Sequence, residues 1–349
     1  IGIQPSDDFL YSDLHYSALE WIFPGKLFHS PSFKLKNLFA VGTLEGPIIL
    51  ASKIQQSIIP ICFLCGHKTE ITCLKMTLQS NTFLSASRDG SIGGWHCDDG
   101  SCRFLYERIL PKGEIYLEST SNDFTQVWSW IVGIGIYLID LSSNKIIMKI
   151  NEPGLRSFSI LTPLNNYFVR EDLLVSIGMN EIKYFNVDVK NNLKLKNVNC
   201  IHFDINENVN ISQFGFCKFE KNKIQLLNPL DLNVLFEEYL DEISENDRIA
   251  CVKFESQTNF CVSSFGGLFR IYKMKRFNIN DTKMEVETVQ KIDLSCYFIT
   301  SFAFSIINGI IFASNAKDIL SIFNDKVIKL KIPNVKKKNC FVPNPNQSI

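Results

Sequence analysis

Four residues near the start of the chain carry side chains that could do chemistry together: His67, Ser85, Asp89 and Trp95. A histidine beside a serine can act as its general base, and an aspartate can orient the histidine. Two neighbouring sets invite a metal instead. Cys62-x-x-Cys65, followed by His67 and Cys73, has a zinc-like spacing, and His96, Cys97 and Cys102 form a second set. The third reading is structural, in which buried polar side chains satisfy one another's hydrogen bonds.

The surrounding pattern favours the third. Ser85 lies inside FLSAS, an alternating strand, with no G-x-S-x-G elbow to lift its hydroxyl into a cleft. Cys62 and Cys65 belong to one extended run already committed to a sheet, and the second set has no C-x-x-C pair. The expectation is therefore a hydrogen-bond network of His67, Ser85, Asp89 and Trp95, with no catalytic residue, metal or cofactor. Asp89-Gly90 makes a tight turn in which glycine is free to take positive φ. The Asp89 carboxylate is expected to accept from the His67 ring, His67 to bond Ser85, and Trp95 to offer its single N–H. No phosphate-binding loop is present, and GIGIYL around Gly133 opens no helix, so it is no dinucleotide fingerprint. His15 and His202 are isolated and read as structural or exposed.

The elements that must hold these residues are strands. The chain has 349 residues, with 28 Phe against eight Ala, a composition that favours sheet over helix. Lys plus Arg equals Asp plus Glu at 36 each; such a neutral chain lacks the electrostatic footprint of a nucleic-acid binder. The eleven cysteines sit mostly in apolar runs, as in FGFCKF, IACVKF and NFCVSS, which predicts reduced, buried thiols in a cytoplasmic protein. The most apolar stretch, Val127 to Leu141, is shorter than the roughly 20 residues of a membrane helix. The N-x-S/T matches at Asn210 and Asn280 carry weight only in a secreted chain. A start at Ile1 rather than Met suggests a fragment.

Short β-rich runs alternate with Gly, Asn and Asp turns along the whole chain. ITCLKMTL, NTFLSASRDG, SIGGWHCDDG and CRFLYERI make one four-strand set, and further sets follow to VIKLKI near residue 331. LEWIFPGK, KLKNLFAVGTLEG and PIILASK form a divergent first set. The period predicts an all-β, seven-bladed β-propeller over residues 1–332, with four antiparallel strands per blade and a basic, Pro-containing tail or linker to further domains at 333–349.

The Gly66-His67, Ser85, Asp89-Gly90 and Trp95 pattern resembles the WD-repeat family, in which that set is a hydrogen-bond network within one blade. Elsewhere the pattern decays: Asp140 and Asn180 stand without a Gly-His. Within the family, FLCGHKTEITCL, FLSASRDGSIGGWHCDDGSCRF, IYLIDLSSNKIIMKI and DLLVSIGMNEIKYFNV resemble the opening blades of the rabconnectin-3 group. That resemblance implies a non-enzymatic scaffold which works with a large WD-repeat partner and proton-pump subunits to regulate vacuolar-type pump assembly, peripheral on endomembranes. The alternatives are an adaptor of a nuclear pore, ubiquitin-ligase, chromatin or tRNA-modification assembly, with a nuclear location left open, or a phosphoinositide or peptide reader. GLFRIYKMKR, at Gly267 to Arg276, lacks the basic pair of lipid-reading propellers. Partner contact is expected on the face carrying Lys68, Thr69 and Arg88. The acidic run holding Glu237, Glu238, Asp241 and Glu242 is placed in a loop on that face, and Lys336 to Lys338 in the tail.

Overall fold

The computed structural model describes residues 16–22, 38–54, 57–76, 82–97, 101–119, 126–161, 173–178, 181–188, 194–202, 208–212, 215–228, 232–256, 259–274, 283–294, 301–305, 310–314, 319–323, 326–330 and 340–341. His15, Asn180, Asn280 and Lys336 to Lys338 lie outside them. All elements are strands among the described residues. No helix there is long and apolar enough to cross a membrane.

The topology corrects the blade count: among the described residues there are six four-stranded antiparallel blades, not seven. Blade 1 holds β5 (Ile71–Met76), β6 (Thr82–Ser87), β7 (Ile92–His96) and β8 (Cys102–Tyr106). Blade 2 holds β9 (Ile115–Ser119), β10 (Gln126–Ile131), β11 (Gly135–Asp140) and β12 (Lys145–Asn151). Blade 3 is β13 (Ser157–Leu161), β14 (Leu173–Ile177), β15 (Glu181–Asp188) and β16 (Lys194–His202). Blade 4 is β17 (Asn208–Ser212), β18 (Gly215–Glu220), β19 (Lys223–Leu227) and β20 (Val234–Tyr239). Blade 5 is β21 (Ile249–Ser256), β22 (Asn259–Ser264), β23 (Leu268–Met274) and β24 (Val286–Asp293). Blade 6 is β25 (Ser301–Ser305), β26 (Ile310–Ser314), β27 (Ile319–Phe323) and β28 (Lys326–Leu330).

The divergent first set builds something different, a five-stranded mixed sheet. It contains β1 (Tyr16–Ile22), β2 (Leu38–Thr43), β3 (Ile48–Ile54), β4 (Ser57–Leu64) and β29 (Cys340–Phe341). β29 joins β4 in parallel, with Cys340 opposite Phe63 and Phe341 opposite Leu64. Part of the expected tail is therefore a strand. β1 lies against β5 and β25, so this sheet stands between blades 1 and 6 and brings both ends of the described chain together.

Side chains that alternate along each strand are divided between two neighbours. Phe83 and Trp95 pack with the terminal sheet's Leu38, Ala40 and Leu50, whereas Leu84, Ala86 and Ile92 pack with blade 2's Ile115, Val127 and Tyr137. Blade 2 repeats the division: Val127 and Ile131 face blade 1, and Trp128 and Trp130 pack with Phe158 and Ile160 of blade 3. In blade 5, Leu268 and Tyr272 face blade 4, and Phe269 and Ile271 face blade 6. Each fully buried side chain of this size contributes about 1.5–3 kcal/mol, so the cores between sheets, rather than within them, hold the ring.

Loops lock the sheets at the end where the polar network lies. In the β6–β7 turn, Arg88 N–H donates to the Glu70 carbonyl at 2.9 Å, and Gly90 and Arg88 carbonyls accept from Leu110 and Gly113 N–H at 3.1 and 3.0 Å. Gly90 has φ +93°, and a Cβ there would stand 2.1 Å from the Leu110 oxygen. The Asp-Gly turn thus needs glycine both for its backbone angle and for the approach of the next loop.

Candidate functional site

The loop before β5 places His67 between two serines. His67 Nε2 lies 2.6 Å from Ser85 Oγ on β6, and Nδ1 lies 2.6 Å from Ser91 Oγ beyond the turn. Trp95 Nε1–H on β7 donates to Ser85 Oγ at 2.8 Å. Ser91 donates through both its hydroxyl and its amide to Asp89 Oδ1, at 2.6 and 3.0 Å. Asp89 therefore reaches His67 through Ser91 rather than accepting from the ring directly, which corrects the direct contact expected above.

The two ends fix every proton between them. Tryptophan's N–H can only donate and a carboxylate can only accept. Trp95 donates to Ser85, Ser85 donates to His67 Nε2, His67 Nδ1–H donates to Ser91, and Ser91 donates to Asp89. This assigns the neutral Nδ1–H tautomer to His67. Burial, opposed by the Asp89 charge, pulls His67 down to about 4. Burial alone would raise Asp89, but the hydroxyl and amide of Ser91 outweigh it and hold the carboxyl below its ordinary range. Space for the indole comes from Gly93, directly opposite Ser85. A Cβ at Gly93 would meet Ser85 Oγ and Trp95 Nε1 at 2.9 Å.

Ser85 is 0% exposed, so no substrate carbonyl reaches its hydroxyl in this arrangement. Both His67 ring nitrogens are engaged by serines, and no group of three metal-ligating side chains occurs among the described residues. Cys62, Cys97, Cys217 and Cys261 are buried free thiols, and Cys65, Cys73, Cys102 and Cys251 are half-buried ones. Burial pushes Cys73 up to about 12 and Cys102 up to about 11, away from thiolate chemistry.

Outside the relay, Lys68 pairs with Glu107 at 2.9 Å, Arg88 with Glu70 at 2.5 Å, and Thr69 bonds Ser87 at 2.9 Å. Lys68, Thr69, Asp89, Glu107, Arg108 and Lys112 line a cleft of about 160 Å³ above the aspartate end of the relay. Arg108 holds φ +54°, a left-handed conformation that costs an L-residue about 1–2 kcal/mol. Arg108 and Lys112 have no ion-pair partner among the described residues. Sequence reasoning missed both, along with Ser91 and Gly93. For Gly93 the available signal was a glycine inside a strand, two residues before a tryptophan.

The acidic residues lie elsewhere than expected. Glu237 and Glu238 belong to β20, not to a loop. Arg270 on β23, its side chain 4% exposed, donates to both Glu238 and Glu242, and Lys291 bonds Glu242 at 2.8 Å. Arg270 first, then Lys291, hold the Glu242 carboxyl down at about 2. Glu237 pairs with Lys223 at 3.0 Å, and Asp241 is exposed. Two of the four acids thus join blade 4 to blade 5 and are not a free patch.

No protein-family model matches the sequence, and no curated protein matches it. Solved structures do match the fold. The crystal structure of the C-terminal WD40 domain of Sif2 aligns at TM-score 0.59 and 12% identity, covering 91% of this chain and 97% of that domain. The fold is that of a WD40 β-propeller. At this identity the likeness is one of fold alone, and the propeller's function must be argued from its surfaces.

Three outcomes follow from the geometry. Ser85→Ala strands the Trp95 N–H and His67 Nε2, at about 1–3 kcal/mol each, so denaturant titration should show a loss of about 2–6 kcal/mol. Unfolded, His67 takes up a proton near 6.5, and folded only near 4. Stability from the neutral ring is therefore complete above pH 6.5 and falls, by up to about 3 kcal/mol, as pH drops towards 4. Denaturation midpoints across that window should slope less in His67→Phe than in the parent chain. Glu238→Lys with Glu242→Lys leaves Arg270 buried and unpaired, costing about 3–5 kcal/mol; Asp241→Lys with Glu245→Lys should leave the melting temperature within a degree or two.

Proposed function

We propose that the propeller is a non-enzymatic scaffold that docks partner proteins on the face where the β6–β7 turn meets the loops before β5 and β9. The observation that carries this is the pair of unpaired cations, Arg108 and Lys112, at a cleft whose other charges are already engaged. Glu107 neutralises Lys68, and Ser91 satisfies Asp89. The residual charge is positive, and the cleft's size suits a single carboxylate or phosphorylated side chain of a partner. Beside it, Val132 and Ile134 in the β10–β11 turn are 38% and 37% exposed, and Val132 N–H is tied to the Glu114 carbonyl of the loop that carries Lys112. An acidic segment with an apolar anchor fits that juxtaposition, charge setting encounter rate and register and the anchor adding affinity.

The finer reading rests on the sequence resemblance to rabconnectin-3 beta. In it the scaffold acts with a large WD-repeat partner on subunits of the vacuolar-type proton pump, peripheral to endomembranes. One experiment tests both levels. The full chain and an Arg108→Glu/Lys112→Glu variant are used as baits, and co-purifying proteins are quantified by mass spectrometry. The docking reading expects specific partners to fall at least fivefold with the variant while its melting temperature is unchanged; equal recovery removes the cleft from function. Pump subunits among the lost proteins support the finer reading, whereas nucleoporins, ligase subunits or RNA-modifying enzymes replace it.

A further inference from the structure

The outer strand of every sheet in a propeller is an edge with unpaired backbone groups, and folded proteins guard such edges with charge. Six outer strands here follow that rule: Arg103 lies on β8, Lys149 on β12, Lys196 on β16, Glu238 on β20, Lys291 on β24 and Lys329 on β28. β4 does not. It reads SIIPICFL, without one charged residue, and its only guard is Pro60, which lacks an N–H. β4 is also the outer strand to which another strand is added among the described residues. Cys340 and Phe341 extend its sheet in parallel opposite Phe63 and Leu64. The pairing occupies only that end, so the outward edge from Ser57 to Ile61 has no strand against it among the described residues.

We propose that the outer edge of β4 is a strand-acceptor site whose ligand is the apolar segment around Cys340-Phe341, held in cis and exchangeable for the same segment supplied in trans. Main-chain hydrogen bonds would supply the affinity of such strand addition, and the side chains on alternate positions its register. A two-residue clasp makes few such bonds, which suits exchange better than permanent closure. The absence of charge on β4, against its presence on the other six outer strands, is what a site kept open for strand addition requires. The inference is independent of the cleft at Arg108 and Lys112, since it concerns a different edge of the molecule.

The test uses the full chain with Cys340→Pro and Phe341→Pro, which removes two backbone donors and the extended pairing. A fluorescein-labelled peptide of residues 336–349 is titrated against parent and variant by anisotropy. The proposal expects the peptide to bind the variant at least tenfold more tightly than the parent. The same peptide carrying both prolines should not bind. Hydrogen exchange at residues 57–64 should speed up in the variant and slow again on adding the peptide. A folded variant that binds the peptide no better than the parent does overturns the proposal, as does exchange at 57–64 that ignores the peptide. Should the double-proline chain fail to fold, Phe341→Lys in the full chain reads the same competition. Concentration-dependent dimers of the parent chain that the peptide dissolves would also support it, with a second copy supplying the strand.

Discussion

A four-stranded sheet with apolar side chains on both faces cannot exist alone in water, and this dependence organises the whole molecule. On β6, Phe83 packs against the terminal sheet while Leu84 and Ala86 pack against blade 2. On β23, Tyr272 faces blade 4 while Phe269 faces blade 6. Each sheet is thus a partition between two cores, and no sheet can be removed without exposing a face on each neighbour. The requirement is met all round only if the row of sheets closes. The terminal sheet closes it, because β1 stands between β5 and β25 and β29 brings the far end of the chain onto the same sheet.

One position in the blade shows how the partitions are tuned. On β7 the residue opposite Ser85 is Gly93, and on β23 the residue opposite Val262 is Arg270. Both point to the core shared with the preceding sheet. In blade 1 the missing side chain lets Trp95 reach Ser85, and a neutral relay binds the turn to the strand. In blade 5 a guanidinium fills the same place and crosses to Glu238 and Glu242 on the neighbouring blade. The first solution fastens one blade internally; the second fastens two blades together. A buried cation is costly without its partners, so in blade 5 the acidic residues became part of the fold and were lost to the surface.

The same contrast explains what could be read from the sequence. The strands of blades 1 and 5 alternate cleanly and are bounded by D-G or G-G turns, and their order was legible. The relay's members were legible as a motif. β4 was legible only near Cys62, in the extended run, and its extent was not, because SIIPICFL is an unbroken apolar run separated from β3 by two residues and shows no period of two. VNISQFGFCKFEKN has only Gly215 to mark a break within it, yet it folds into β17 and β18. The expectation of seven four-stranded blades failed for a related reason. The parallel strand that makes the terminal sheet different is contributed from residues 340–341, across most of the chain, and no local pattern encodes a pairing at that distance. Glu238 and Glu242 looked like a solvated acidic loop because their cation lies in LFRIYKM, where alternation hides a charge among core positions. Ser91 escaped notice because the direct Asp–His contact was chemically sufficient; only geometry shows that the serine stands between them.

The relay also bears on why the Arg108 and Lys112 cleft suits recognition. Its acceptor end, Asp89, forms part of the cleft, and its donor end, Trp95, is 0% exposed within the core against the terminal sheet. Every hydrogen in between has one satisfactory position, so the loop before β5 and the β6–β7 turn are anchored to the strands beneath them. The next loop is anchored in turn, since Leu110 and Gly113 bond the carbonyls of Gly90 and Arg88. Lys68, Arg108 and Lys112 therefore project from backbones whose freedom has already been lost in folding. Ordering mobile loops is a principal cost of association, and here little of it remains to be met on binding. A buried serine, histidine and aspartate that perform no reaction still serve recognition, by holding the surface above them in one shape.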